Sequence, residues 1–153
     1  MEFHKQLFRH DPDNGVYGDC HRTAIACLLN LAPEEVPHWG QLQQECKGGP
    51  DAYDWRAECE TWLNSKGYTQ MDYCFFPDNL DNFFLMMEDR QPQIVYLMGG
   101  KSPRGTNHTV VCKGGGFEWD PHPDGGFLVG PMSNKVYEAT FLLPLNMKVS
   151  EPR

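Results

Sequence analysis

Residues 18–29 read Gly18-Asp19-Cys20-His21-Arg22-Thr23-Ala24-Ile25-Ala26-Cys27-Leu28-Leu29. The part that follows Cys20 is apolar and has the length and spacing of a buried helix. We predict this helix from about Asp19, which can cap it, to about Leu31, with Pro33 ending it. Cys20 therefore opens the helix, where unpaired backbone N–H groups and the positive end of the helix dipole stabilise a thiolate.

Two groups that can activate a thiol follow later in the chain. His108 begins a β-branched segment that runs to Val111, and Asp120 follows a glycine turn. A free thiol has a pKa of ~8.5 and is mostly protonated at neutral pH, so a catalytic cysteine needs a base beside it. The sequence predicts a Cys20–His108–Asp120 triad, in which the carboxylate fixes the imidazole tautomer and supports its charge. The alternative is a structural cysteine, with an aspartate that simply ends a strand before Pro121.

The hairpin between the two later strands offers a geometric check on this triad. Opposed residues of an antiparallel pair share a face and have a constant index sum, so His108 and Asp120 lie on the same face only when that sum is even. A sum of 230 pairs Val110 with Asp120 and makes Asp120 the diagonal neighbour of His108. The triad therefore predicts an odd loop or a β-bulge near Gly114-Gly115-Gly116.

Length and composition indicate a single domain over residues 1–153. The net charge is −8 and the basic residues are scattered, which argues against nucleic acid and anionic membranes as partners. No apolar run approaches the ~20 residues of a membrane span. The start of the chain, Met1 to Lys5, has no signal-peptide core, so we expect a cytoplasmic protein. The sequence leaves the oligomeric state open.

Helical patterns come first and β-like runs follow. We predict an interrupted helix over 33–45, a helix over 53–66, a strand over 68–76 and a helix from residue 77. Short strands are expected at 94–98, 108–112, 117–120, 127–129 and 135–143. This order favours an α+β domain whose N-terminal helical half packs on a C-terminal antiparallel sheet.

The chain has six cysteines and no C-x-x-C pair, which argues against a zinc ribbon or a redox motif. A chain of this length and apolarity does not need disulfides for stability. Four of the cysteines lie at apolar positions of predicted helices or strands, and we expect them to be small buried hydrophobes. These are Cys27, Cys59, Cys74 and Cys112.

Amide or thioester chemistry also needs hydrogen-bond donors directed at the developing oxyanion. The backbone N–H of Cys20 is one candidate, and an upstream side-chain amide is the second. Gln6 and Asn14 are the available amides, and we prefer Gln6 because its side chain reaches further.

Four segments of the chain together resemble a family of small papain-like proteins of bacteriophages and prophages, related to the bacteriocin-leader peptidases. They are Gly18-Asp19-Cys20-His21-Arg22-Thr23-Ala24-Ile25-Ala26, Glu35-Val36-Pro37-His38-Trp39, Ser102-Pro103-Arg104-Gly105-Thr106-Asn107-His108 and Asp120-Pro121-His122-Pro123. The resemblance implies a papain-like cysteine protease fold whose catalytic helix begins at Cys20. It assigns the histidine and aspartate roles to His108 and Asp120, and an oxyanion role to Gln6.

Two parts of these segments are less widespread in the papain-like class than the proposed catalytic residues, and we expect them to form a substrate pocket specific to this family. They are the Ser102–Asn107 stretch and the His38-Trp39 pair. We expect five residues to contact the substrate: Asp19, His21, Trp39, Asn107 and Trp119.

The leading hypothesis is a cysteine hydrolase, a thiol protease, isopeptidase or amidase, that acts on a peptide or protein substrate. If the chain is phage-encoded, the substrate can be a host protein in the host cytoplasm. One alternative is a phage inhibitor that binds a host defence protein and retains only the fold.

A metal site is a further alternative, because the chain carries several zinc-type donors. They are Cys20, His21, His38, His108, Asp120 and His122. We expect neither a metal nor another cofactor, because His21 is predicted to point away from the nucleophile and His122 lies in a proline-flanked turn.

Overall fold

A computed structural model describes residues 1–146 and shows a mixed α+β fold on a five-stranded antiparallel sheet. The strands are β1 (Tyr68–Phe75), β2 (Val95–Lys101), β3 (Asn107–Lys113), β4 (Gly116–Trp119) and β5 (Tyr137–Pro144). The α-helices in this range are α1 (Cys20–Leu29), α2 (Trp39–Gln44), α3 (Trp55–Ser65) and α4 (Leu80–Arg90). Neighbouring strands follow the order β1-β5-β2-β3-β4.

Different helices cover the two faces of the sheet. Successive residues of a strand point to opposite faces. Leu97 of β2 packs with buried residues of α1, α2 and α3. Its neighbours Tyr96 and Met98 pack instead with Phe83 and Met87 of α4. The predicted α+β class with an antiparallel sheet is confirmed, but the helices do not form one N-terminal half, because α4 follows β1 and lies on the far face.

Helix α1 is the buried helix that the sequence predicts. Ile25 and Ala26 are fully buried, and burying a side chain such as Ile25 stabilises the fold by about 2–3 kcal/mol. The helix ends at Leu29 because Asn30 adopts a left-handed conformation, with φ 56° and ψ 43°. Asn30 therefore ends the helix, and the prediction that Pro33 does so is wrong.

Two other predicted elements differ from the structure. The helix expected over 33–45 is split into a 3₁₀ turn at Pro33–Glu35 and the short helix α2, with Pro37 between them. The strand expected over 127–129 does not form, because Phe127 has a left-handed φ of 53°. The backbone N–H of Phe127 bonds to the Asp120 carboxylate, at 2.8 Å, instead of to a neighbouring strand.

The β3–β4 hairpin contains the predicted β-bulge. Val111 pairs with Trp119, whereas the next residue, Cys112, pairs with Phe117, so the register shifts between Val111 and Cys112. Beyond the shift the register is the predicted one, which places Asp120 on the same face as the histidine near the start of β3.

All six cysteines are free in the structure. Cys27, Cys59 and Cys112 are buried, as predicted. Cys74 is exposed, so its predicted burial is wrong. Its sulfur contacts the Glu138 carboxylate at 3.5 Å, at the surface of the sheet. Among residues 1–146, no helix combines the length and apolarity needed to cross a membrane.

Candidate active site

Cys20 is the first residue of α1 and lines two adjoining pockets. His108, the second residue of β3, lines the same two pockets. Helix α1 packs directly against β3. This packing brings the thiol and the imidazole together although they are distant in the sequence.

Asp120 binds the His108 ring at Nε2. Nε2 of His108 lies 2.7 Å from Oδ1 of Asp120, and both side chains are buried. Oδ1 also accepts the backbone N–H of His122, and Oδ2 accepts that of Phe127, both at 2.8 Å. The contact with Asp120 occupies Nε2, which leaves Nδ1 as the ring nitrogen available to Cys20.

The pKa values of this pair move apart. Burial on its own would lower the pKa of His108, but the hydrogen bond with Asp120 and the interaction with Cys20, together with the charges of those two groups, raise it to about 9. Burial on its own would raise the pKa of Asp120, but the hydrogen bond from His108 and the backbone N–H groups lower it. At neutral pH the site therefore holds an imidazolium beside Cys20 and a carboxylate behind it.

Gln6 shares a pocket with the nucleophile. It is buried and lines one pocket together with Cys20. Its backbone N–H donates to Pro121 at 2.8 Å, and its side-chain Nε2 donates to Phe8 O at 2.6 Å. The second hydrogen of Nε2 remains available to a ligand, since a primary amide carries two.

Asn14, the other candidate amide, is remote from the site. It is exposed, belongs to a 3₁₀ turn and donates to Asp11 at 2.7 Å. It lines neither pocket next to Cys20. Of the two upstream amides, only Gln6 lines a pocket together with Cys20.

Asp19 anchors the N-terminal segment and does not face either pocket. Its carboxylate is buried, accepts the backbone N–H groups of Leu7 and Phe8 at 3.3 and 2.9 Å, and pairs with Arg22 at 3.0 Å. Its side chain makes no capping bond to α1. Asp19 is the N-cap residue of α1 by position, but the predicted side-chain cap does not form, because the N-terminal segment occupies this carboxylate. Its contact with a substrate stays a prediction.

Replacing Asp19 with alanine is expected to lower the free energy of unfolding by about 3 kcal/mol. The change leaves the half-buried Arg22 and two backbone N–H groups without their partner. Urea denaturation followed by circular dichroism measures the loss. Replacement of the exposed Asp51, at the start of a surface turn, is the control and should change stability little. A loss below about 0.5 kcal/mol for the Asp19 variant would contradict this anchoring role.

The first of the two pockets, the aromatic pocket, has a volume of about 280 Å³. It is lined by Cys20, His21, Trp39, Trp55, Leu97 and Asn107, among others. The ring of His21 meets Trp39 and Trp55 edge-on, at 5.9 and 5.3 Å between centroids. Burial among these rings lowers the pKa of His21 to about 4, so its imidazole is uncharged at neutral pH.

Three of the expected substrate contacts, His21, Trp39 and Asn107, thus lie in the aromatic pocket beside Cys20. The expectation that His21 points away from the nucleophile is wrong. Trp55 was not predicted as a site residue, because its spacing along α3 fits a core position equally well.

Trp119 lies outside both pockets. Its Nε1 donates to His4 O at 2.8 Å, and its ring packs against Phe3 at 4.8 Å between centroids. The Lys5 ammonium lies 4.3 Å from the ring centroid. Trp119 therefore fixes the N-terminal segment, and its contact with a substrate stays a prediction.

The second pocket, the polar pocket, has a volume of about 700 Å³ and lies on the Gln6 side of Cys20. Lys101 and Arg104 belong to its lining, as do the neighbouring residues 105–107. The Ser102–Asn107 stretch that the sequence marks as a substrate pocket therefore borders the site. Lys101 and Arg104 were not predicted individually, because single basic residues carry no pattern of their own.

The zinc-type donors do not converge. Within the described part of the chain, no three His, Cys, Asp or Glu side chains are grouped as a metal ion requires. His38 instead contacts Tyr17 O through Nε2, at 2.9 Å.

Comparison of the chain with models of protein families, with curated proteins and with solved structures gave no match. A function for the chain must follow from the chemistry of Cys20 and its neighbours.

Proposed function

We propose that this chain is a cysteine hydrolase with a papain-like arrangement, which cleaves a peptide, isopeptide or other amide bond. The observation that carries the proposal is the buried contact of 2.7 Å between His108 and Asp120, with Cys20 interacting with the same imidazole. A thiol, an imidazole and a carboxylate that interact in this order are the groups that carry out nucleophilic acyl transfer.

The first half of the reaction forms a thioester. The Cys20 thiolate attacks the carbonyl carbon of the scissile amide, and the carbonyl π-electron pair moves onto the oxygen. The backbone N–H of Cys20 and the free hydrogen of Gln6 Nε2 donate to this oxyanion. As the intermediate collapses, the C–N bond breaks, and His108 gives its proton to the departing amine.

The second half of the reaction regenerates the enzyme. His108, now neutral, takes a proton from a water molecule, and the resulting hydroxide attacks the thioester carbonyl. The C–S bond breaks, the product leaves as a carboxylic acid, and the thiolate and imidazolium are restored. Asp120 keeps its proton-free form throughout and holds the ring orientation.

Burial of the ion pair favours catalysis over a purely binding role. Taking two charges out of water is costly, and an apolar pair of similar size would often stabilise the fold as well. A protein that only binds a partner has no use for a charged imidazole placed beside a thiol at the junction of two pockets.

The proposal is tested by hydrolysis of a library of internally quenched peptides with the wild-type protein and with Cys20→Ala. We expect cleavage of a subset of the library by the wild type and loss of at least 10³-fold in the variant. A covalent acyl adduct on Cys20, seen by mass spectrometry of the quenched reaction, identifies the nucleophile. Cleavage that persists in Cys20→Ala, or the lack of cleavage and of any adduct across the library, would contradict the proposal.

Replacing Gln6 with alanine is expected to lower kcat by about 10²-fold, because one oxyanion donor is lost. The alkylation rate of Cys20 should stay within about twofold of wild type, since alkylation forms no oxyanion. Asn14→Ala, at the remote amide, is the matched control and should keep the wild-type kcat. Equal effects of the two substitutions on kcat would remove Gln6 from the mechanism.

A further inference from the structure

The polar pocket carries a positive charge that the proposed hydrolysis does not require. Three of the thirteen basic residues of the chain, Arg9, Lys101 and Arg104, line it. No aspartate or glutamate belongs to the lining, although the chain has twenty-one acidic residues and a net charge of −8. A concave site lined by one sign of charge concentrates ligands of the opposite sign.

We propose that the polar pocket binds a carboxylate of the substrate, next to the bond that Cys20 attacks, while the aromatic pocket holds an apolar group. This inference rests on the proposed hydrolase function and names its substrate class. The enzyme then acts on peptides that are anionic on one side of the scissile bond and apolar on the other.

Lys101 is the best placed of the cations. It ends β2, opposite Asn107 in the β2–β3 hairpin. Its backbone N–H and C=O bond to Gly130 and Val129, both at 2.8 Å, which fixes the position of the residue. Among the described residues its ammonium group makes no hydrogen bond or ion pair, so its charge is available to a ligand.

Arg104 lies on the tight turn that follows β2. Ser102 N–H bonds to Thr106 O, and Gly105 N–H to Ser102 O, both at 2.9 Å. One Arg104 nitrogen donates to Gly125 O at 2.9 Å. A guanidinium has five N–H donors, so most of the Arg104 donors remain for an anion.

The remaining basic groups of this pocket contribute less charge. Arg9 is already paired with the exposed Asp124 through two hydrogen bonds, at 2.7 and 3.1 Å. Burial and the nearby Arg104 lower the pKa of His122, which leaves its ring neutral at pH 7. His10 accepts the Gly18 N–H at 3.3 Å. The anion is therefore held mainly by Lys101 and Arg104, and the His108 imidazolium lines this pocket as well as the aromatic one.

The aromatic pocket has the opposite character. Apart from His108, which lines both pockets, its charged lining residues are Arg56 and Glu138, which pair with each other at 2.9 Å. Arg56 also pairs with Asp72, at 2.9 Å. Because these side chains neutralise one another, they do not need a charged group on the ligand. The rings of His21, Trp39 and Trp55 line it together with Leu97 and Met132, which suits an aliphatic or aromatic side chain.

The charge preference is measured first with two small alkylating reagents. Iodoacetate and iodoacetamide attack the same thiolate, so the ratio of their rates on Cys20 reports the local potential and cancels changes in thiolate fraction. We expect the double variant Lys101→Gln, Arg104→Gln to lower this ratio by about fivefold or more. Lys101→Arg should retain the wild-type ratio, because it keeps the charge.

Lys113→Gln is the matched control. Lys113 is an exposed lysine at the opposite end of β3, away from the polar pocket, and its replacement should leave the ratio unchanged. A double-variant ratio equal to that of wild type would overturn the inference. Rapid iodoacetamide labelling of Cys20 in the same samples would still support the hydrolase. Failure of the charge preference can therefore be distinguished from failure of the proposed hydrolase function.

Peptide substrates then identify the source of the carboxylate. We expect a cleaved peptide to lose about tenfold or more in kcat/KM, mainly through KM, when its carboxylate is converted to an amide. Loss on Glu→Gln exchange in the peptide indicates an acidic side chain, and loss on amidation of its C-terminus indicates a terminal carboxylate. Insensitivity of kcat/KM to both changes would overturn the inference.

Discussion

Replacing His108 with alanine is expected to slow alkylation of Cys20 by about 100-fold at pH 6 and to abolish peptide hydrolysis. The imidazolium of His108 stabilises the thiolate, and without it a cysteine is less than about 1 per cent thiolate at that pH. The same substitution removes the group that donates a proton to the leaving amine, a contribution of about 10²–10⁴-fold. Rates of iodoacetamide labelling, followed by peptide mass spectrometry, measure the first effect.

His4→Ala is the control for this experiment. His4 is half-buried and lies in the N-terminal segment, outside both pockets. Its replacement should leave the labelling rate of Cys20 within about twofold of wild type. If the His108 variant reacts as fast as wild type, the imidazole does not activate this thiol.

Replacing Asp120 with asparagine is expected to shift the basic limb of the pH–rate profile to lower pH. His108 must be protonated to act as the general acid, so activity falls as pH rises through its pKa of about 9. The hydrogen bond and charge of Asp120 support that raised pKa. Without the carboxylate, the limb should move toward about 6.5, the ordinary value for histidine. Measurement of kcat/KM between pH 5 and 10 locates the limb.

The free energy of unfolding should also depend on pH through the protonation of His108. The pKa of His108 is higher in the folded than in the unfolded chain, so the stabilisation is fully present below about pH 6.5 and is lost as pH rises through about 9. The difference in unfolding free energy between wild type and Asp120→Asn should therefore be larger at pH 6 than at pH 10, by up to about 3 kcal/mol. Urea denaturation at the two pH values gives this difference.

Asp124→Asn is the matched control for both measurements. Asp124 is an exposed carboxylate on the same loop that pairs with Arg9 at the surface. Its replacement should not shift the basic limb or the pH dependence of stability. A limb that stays near pH 9 in Asp120→Asn would show that the carboxylate does not set the charge of His108.

The sequence predicts the centre of this site because several local signals there agree. An apolar run that begins at Cys20 gives a buried helix, and the parity of a hairpin register relates His108 to Asp120. The bulge between Val111 and Cys112 supplies the shift that this parity requires. Periodicity and register are properties of neighbouring residues, so they can be inferred without the tertiary structure.

The parts that failed depend on contacts that sequence spacing does not encode. Asp19 was expected to cap α1 with its side chain, but the N-terminal segment binds its carboxylate, as it binds Trp119. Phe127 leaves the sheet because its N–H bonds to Asp120. The prediction that the helices form one N-terminal half failed for a similar reason, because the amphipathic pattern of α4 does not indicate which face of the sheet the helix covers. Lys101 and Arg104 acquire meaning only when the fold places them together beside Cys20.

The most direct test labels the native protein with iodoacetamide between pH 5 and 9 and locates the label among the six cysteines. We expect Cys20 to be modified first and selectively below pH 7. Cys74 is the internal reference, since it is exposed and partial burial and Glu138 raise its pKa. Labelling of Cys20 no faster than that of Cys74 below pH 7 would contradict an activated thiolate at the start of α1.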